Sequence, residues 1–189
     1  TVIFGGVLPT PAVASAVKGL GAAAGAVISA SHNPSHYNGI KLFDASGYKL
    51  DRYAEEHLET VMDGVYFYKT PTPITEDKNV IECYLTAVNP ASYDLSGLRI
   101  VLDTANGAAC GIAPLIFESA GATVIAINDN KDGSLINFHS GALHPEELQK
   151  AVVCNNADLG FAFDGDADRV IAADDNGRLV DGDGILYVL

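Results

Sequence analysis

Leu98-Arg99-Ile100-Val101-Leu102, followed at once by Asp103-Thr104-Ala105-Asn106-Gly107, decides the fold class. The apolar run reads as a strand that ends at Asp103. Helical spacing over 111–120 and a second apolar strand over 123–127 complete a strand–helix–strand unit. Two strands joined by a helical crossover lie parallel. Downstream, a helix over 144–154 leads into a strand over 159–163, and 170–173 with 178–180 reads as a hairpin around Asp175-Asn176-Gly177. The expectation is α/β architecture with mixed, partly parallel sheets.

Upstream of this unit the pattern is similar. Residues 2–8 read as a strand and Pro9-Thr10-Pro11 as the entry to an Ala-rich helix ending near 19–21; 25–29 is a short apolar strand. Ser31-His32-Asn33-Pro34-Ser35-His36-Tyr37-Asn38-Gly39 then gathers turn formers into a loop beyond a strand end. A strand over 40–44 and a helix over 51–62, with Asp51 as N-cap, follow. The proline-bearing stretch 69–75 is read as a connection and 76–88 as a helix. The boundary falls near Asn89-Pro90, giving a first domain over 1–89, a second over 90–180, and the start of a third over 181–189. Both ends read as cut.

Composition narrows the partners. The 189 residues are 48% hydrophobic, enough for a sizeable core, and 24 acidic against 11 basic residues leave a formal charge of −13. Such a field disfavours nucleic acid and anionic membranes. The weakly polar stretch 21–30 is about half the roughly twenty residues that a membrane span requires. Cys83, Cys110 and Cys154 form neither a disulfide framework nor a zinc signature, which favours a reducing, cytoplasmic setting.

Three features carry chemistry. Asp164-Gly165-Asp166-Ala167-Asp168-Arg169 sets three carboxylates at alternate positions after a strand. Turned toward one point along an extended loop, they repel unless a hard divalent cation such as Mg2+ neutralises them. An EF-hand is disfavoured, because Arg169 and Asp175 stand where that loop needs glycine and glutamate. A dehalogenase-type phosphatase, with Asp164 as nucleophile, is an alternative whose motif continues with glycine and threonine where this chain has Ala167 and Asp168. Ser29-Ala30-Ser31-His32-Asn33-Pro34 puts a hydroxyl and an imidazole at a strand end, where α/β sheets bind ligands, although taken alone it reads as a turn. Asp103-Thr104-Ala105-Asn106-Gly107 lacks a phosphate-loop signature and reads as a shaped turn. His36, His57, His139 and His144 have no metal-ligand spacing and read as surface or capping residues, and Asp181 as the cap of a final helix.

Combined, Ser29-Ala30-Ser31-His32-Asn33-Pro34, Asn38-Gly39-Ile40-Lys41-Leu42-Phe43 and the aspartate motif resemble the α-D-phosphohexomutases. Gly6-Val7-Leu8-Pro9-Thr10-Pro11-Ala12 and Ser140-Gly141-Ala142-Leu143-His144-Pro145-Glu146 carry the likeness toward the amino-sugar branch of that superfamily. The resemblance implies a phosphorylated serine at Ser31 and Mg2+ held by it with Asp164, Asp166 and Asp168. It puts Arg169 beside them, and Lys41 with His32 in general acid/base work, with the Lys41 pKa lowered by surrounding cations. The implied substrate is a phosphorylated hexose or hexosamine, glucosamine 6-phosphate interconverting with glucosamine 1-phosphate through a bisphosphorylated intermediate, with phosphoglucomutase or phosphomannomutase activity as the alternative within the superfamily. It leaves room for a homodimer of the parent enzyme. Only part of the family's first domain and its second domain are matched, so this stretch alone is expected not to turn over, or to act as a silent binding fragment.

Overall fold

The computed structural model describes residues 1–64 and 72–188. Among the described residues the chain forms nine strands and six α-helices. They are β1 (Val2–Phe4), α1 (Thr10–Gly19), β2 (Ala24–Ile28), β3 (Ile40–Asp44), α2 (Arg52–Asp63), β4 (Ile74–Glu76) and α3 (Asn79–Val88). After them come β5 (Arg99–Asp103), α4 (Ile112–Ser119), β6 (Thr123–Ile127), α5 (Glu146–Cys154), β7 (Leu159–Phe163), β8 (Val170–Asp174), β9 (Leu179–Val180) and α6 (Gly182–Val188).

The larger sheet has the order β6-β5-β7-β8-β9. β5 runs parallel to β6 and β7, while β7, β8 and β9 pair antiparallel. The apolar run of β5 has the cause expected of a central parallel strand, because alternate side chains enter different cores. Val101 packs with Leu148 and Val152 of α5 and with Ala162 and Ala173. Ile100 and Leu102 pack with Ala109, Ala113 and Ala122 on the side of α4. Helices on opposite faces therefore hold the strand ends rigidly, and the site loops grow from those ends.

In the N-terminal part, β2 and β3 form an antiparallel pair, and Val17 of α1 packs against Val27 and Phe43. Asp51 caps α2 by accepting from the Ala54 amide at 2.8 Å, and Asp181 caps α6 by accepting from the Gly184 amide at 2.9 Å. Two expectations are corrected. Strand structure over 2–8 stops at Phe4, because Gly5-Gly6 follows and Gly6 takes φ +78, outside any strand. The stretch 69–75 falls partly in 65–71, outside the described residues; Ile74 and Thr75 within it, and Glu76 beyond it, pair parallel with Val2–Phe4 rather than forming connection and helix. The helix then starts at Asn79, whose amide donates to Asp77 at 2.9 Å. Among the described residues no helix is long and apolar enough to cross a membrane.

Leu148 is fully buried between α5 and the sheet. Leu148→Ala is expected to lower the unfolding free energy by about 2–5 kcal/mol in urea titrations, against under about 0.5 kcal/mol for Tyr53→Ala on the exposed face of α2.

Candidate active site

The aspartate motif joins β7 to β8 as a closed turn and not an extended run. Phe163 and Val170 are paired across its base, the Ala167 amide donates to the Asp164 carbonyl at 3.0 Å, and Ala167 takes a left-handed φ of 54. The turn still brings the carboxylates together: one oxygen from each of Asp164, Asp166 and Asp168 lies within 4.8 Å of the others. Asp164 and Asp166 are buried and Asp168 is exposed. Asp164 Oδ1 accepts from the amides of Asp168 (3.2 Å) and Arg169 (3.1 Å), which locks its side chain to its own loop.

Glycine at position 165 lets three backbones meet. A Cβ there would lie 2.6 Å from both the Ser31 carbonyl and Asn137 Nδ2. On the other side the Gly165 carbonyl accepts from the Ala108 amide at 2.8 Å, and a Cβ on Gly107 would strike the Gly165 backbone. Asp103-Thr104-Ala105-Asn106-Gly107 is thus the shaped turn expected, and it serves as the bed of the aspartate loop. Buried Asp103 organises that bed, accepting from the amides of Ala105 (3.0 Å) and Gly141 (3.0 Å) and from Asn128 Nδ2 (3.1 Å). Burial raises the Asp103 pKa above the usual carboxylate range despite these donors.

The serine loop comes from the other part of the chain and lands on this turn. The Ser31 amide donates to Ser29 Oγ at 2.9 Å and Ser31 takes a left-handed φ of 55, uncommon for serine and costing roughly 1–2 kcal/mol. Its hydroxyl donates to Asp164 Oδ2 at 2.8 Å and accepts from Arg169 Nη2 at 2.6 Å. Arg169 also reaches Asp164 Oδ2 at 2.8 Å and donates to His32 Nδ1 at 2.6 Å. Lys41, on β3, donates from Nζ to Asp166 Oδ2 at 2.5 Å and Asp168 Oδ2 at 2.7 Å. Ser31, His32, Lys41, Asp164, Asp166, Asp168 and Arg169 therefore converge, although more than 120 residues separate Lys41 from its partners.

The electrostatics correct one expectation. Lys41 faces two carboxylates rather than cations. Partial burial pulls its pKa down, but the hydrogen bonds to Asp166 and Asp168 and their charges outweigh it, so the pKa is raised, not lowered. Burial pushes Asp166 up, yet the bonds from Lys41 and Thr10 with the Lys41 charge prevail and hold it below the usual carboxylate range. Asp166 Oδ1 is buried and has no hydrogen-bond partner among the described residues. A buried carboxylate oxygen left open beside two further carboxylates is a donor set suited to a hard divalent cation.

Sequence reasoning missed two residues that join the loops. Thr10, at the start of α1, donates its amide to the Asp166 carbonyl at 2.9 Å and its hydroxyl to Asp166 Oδ2. Asn137 donates Nδ2 to the carbonyls of Ser31 (2.8 Å) and Asn33 (2.9 Å). Thr10 sits in a Pro-Thr-Pro run that reads as punctuation, and Asn137 carries no local signal beyond a residue type that tolerates φ 57. His36, His57, His139 and His144 are exposed, as expected, and outside the cluster.

The chain is 46% identical over 198 residues to a phosphoglucosamine mutase of Clostridioides difficile (strain 630), the alignment covering 99% of this chain and 43% of that protein. It is 50% identical over 190 residues to a phosphoglucosamine mutase of Rhodococcus jostii (strain RHA1), covering 97% and 43%. The chain thus spans less than half the length of the curated relatives it matches. A crystal structure of a phosphoglucomutase/phosphomannomutase family protein from Burkholderia thailandensis superposes with a TM-score of 0.74 at 26% identity, over 95% of this chain and 41% of that one. Residues 1–69 match alpha/beta/alpha domain I, and residues 81–177 alpha/beta/alpha domain II, of phosphoglucomutase/phosphomannomutase. With serine loop and aspartate turn falling one in each matched stretch, the chain belongs to the phosphoglucomutase/phosphomannomutase family.

Proposed function

We propose that this chain carries the phosphoryl-transfer centre of a phosphoglucosamine mutase, which interconverts glucosamine 6-phosphate and glucosamine 1-phosphate through a phosphoserine at Ser31 and a bisphosphorylated sugar. The observation that carries the reading is the Ser31 hydroxyl bridging Asp164 at 2.8 Å and the Arg169 guanidinium at 2.6 Å. The amino-sugar substrate rests on the names of the relatives that are about half identical. The division into a serine-bearing domain over 1–89 and a metal-loop domain over 90–180, and a cytoplasmic setting suggested by three free cysteines, belong to the same proposal.

In the first transfer the bond between phosphorus and Ser31 Oγ breaks while one forms to a sugar hydroxyl. After the intermediate reorients, its other phosphoryl group returns to Ser31 Oγ. The proton leaving the sugar hydroxyl ends on the serine oxygen, and Lys41 with His32 are the groups placed to move it. Lys41, held protonated between Asp166 and Asp168, begins as the acid and as a fixed positive charge. Arg169 orients the serine oxygen and offsets charge on the transferring group. Asp164, Asp166, Asp168 and the Ser31 oxygen would hold Mg2+, which supplies further charge compensation on the phosphoryl oxygens.

The phosphatase alternative fits less well. Asp164 Oδ1 takes two amides of its own loop, and Oδ2 takes the Ser31 hydroxyl and the Arg169 side chain, so the carboxylate is set to orient the serine oxygen and its cations and does not stand free as a nucleophile. In the intact enzyme carrying this chain, phosphate from a hexosamine 1,6-bisphosphate should label Ser31, and Ser31→Ala should lose the label and more than about a hundredfold in turnover. Hydroxylamine-labile label on Asp164 with turnover retained would support the phosphatase instead.

The Lys41 pairing also sets a pH window. The stabilisation owed to the lowered Asp166 pKa is present above the ordinary value of 3.8 and is lost as pH falls through the lowered value. That owed to the raised Lys41 pKa is present below 10.5 and is lost as pH rises through the raised one. Lys41→Met should therefore cost about 1–3 kcal/mol of unfolding free energy at neutral pH. The cost should shrink as Asp166 protonates in acid. Urea titrations of both proteins across acid and neutral pH measure this, and a cost independent of pH would contradict it.

A further inference from the structure

We propose that Asn137 is a positioning residue for phosphoryl transfer, clamping the main chain of the serine loop onto the aspartate turn whatever the chemical state of Ser31. The proposal rests on the mutase reading above. The two N–H bonds of one amide are both spent on this loop, at 2.8 Å to the Ser31 carbonyl and 2.9 Å to the Asn33 carbonyl. Among the described residues, the other hydrogen bonds from the aspartate turn to this loop run through groups that the reaction alters or engages. Ser31 Oγ donates to Asp164 only while it carries a proton, and Arg169 Nη2 holds Ser31 Oγ and His32 Nδ1. Once Ser31 is phosphorylated its hydroxyl bond is gone and the guanidinium has a new anion to answer. Carbonyl acceptors are indifferent to that change.

Asn137 is itself built in. Its amide donates to the Ala105 carbonyl at 2.9 Å, which ties it to the bed of the aspartate turn, and its φ of 57 is one that asparagine tolerates. The missing side chain at Gly165 makes room for it, since a Cβ there would lie 2.6 Å from Asn137 Nδ2 and 2.6 Å from the Ser31 carbonyl. The carbonyl it holds belongs to the residue with the left-handed φ of 55, so releasing the amide frees Ser31 to relax toward the commoner backbone regions and carries Oγ with it. A displacement near 1 Å at a reacting oxygen is enough to cost about a hundredfold in rate.

The test uses the intact enzyme with Asn137→Gly and Asn137→Asp. Both accept the left-handed backbone; the first deletes the amide and the second sets an acceptor against two carbonyls. Turnover of glucosamine 6-phosphate is measured with hexosamine 1,6-bisphosphate present, alongside Ser31 labelling and amide hydrogen exchange. The expected result is a fall of about tenfold or more in kcat in both variants, with KM within about threefold. Exchange should quicken in 29–39 but not in the five-stranded sheet. The proposal is overturned by kcat within twofold of the parent. It is equally overturned by a loss of kcat that tracks a lower melting temperature and faster exchange throughout the sheet, which would mark a merely structural residue. Absence of Ser31 label in the parent enzyme, with Ser31→Ala fully active, would instead sink the mutase reading from which the proposal starts.

Discussion

Three carboxylates drawn within 4.8 Å of one another, two of them buried, are the constraint around which this protein is arranged. Ionised carboxylates removed from water are costly unless positive charge and hydrogen-bond donors reach them. Arg169 lies next to the triad in sequence, but the ammonium of Lys41 and the hydroxyls of Ser31 and Thr10 come from the other part of the chain. The same contacts that neutralise the aspartates thus hold the two parts together. Asp166 shows the consequence most clearly: Lys41 and Thr10 satisfy Oδ2, and Oδ1 is left buried without a hydrogen-bond partner among the described residues.

The scaffold behind the triad is shaped to allow this approach. β5 and β7, packed on both faces, deliver Asp103 and Asp164 at neighbouring strand ends, where α/β sheets gather ligands. Asp103 spends its charge on the bed of the turn, and Gly107 and Gly165 let three backbone segments come within contact where any side chain would hold them apart. Strain sits at the functional end of the serine loop, in the left-handed Ser31, and is borne by the bond that Asn137 donates to its carbonyl and the one its amide donates to Ser29 Oγ.

Much of this was legible in the sequence, for physical reasons that differ by residue. The apolar run through Ile100-Val101-Leu102 announced a strand of a parallel pair, and the alternation of acids from Asp164 to Asp168 announced a cluster needing compensation. Ser31 was a candidate from its place beyond a strand end, although that stretch taken alone reads as a turn; Lys41 became one only through resemblance, since a lysine on a short strand carries no signal of its own. Thr10 and Asn137 were invisible because their importance lies in which distant atoms they touch. The β1–β4 pairing was missed because a three-residue strand shows too little alternation and its partner lies 72 residues away. The direction of the Lys41 pKa was misjudged because charge in the vicinity was counted without knowing that its immediate neighbours are Asp166 and Asp168.

The central claim is that the Ser31 oxygen and the three aspartates share one cation. Mn2+ reports directly on such a site, because anomalous scattering from crystals of the protein grown with Mn2+ locates the ion independently of the protein atoms. The account predicts one ion about 2.0–2.3 Å from oxygens of Asp164, Asp166, Asp168 and Ser31, with Lys41 moved off the Asp166 and Asp168 carboxylates. An ion bound elsewhere, or none at saturating Mn2+ with Lys41 still seated on both aspartates, would contradict it.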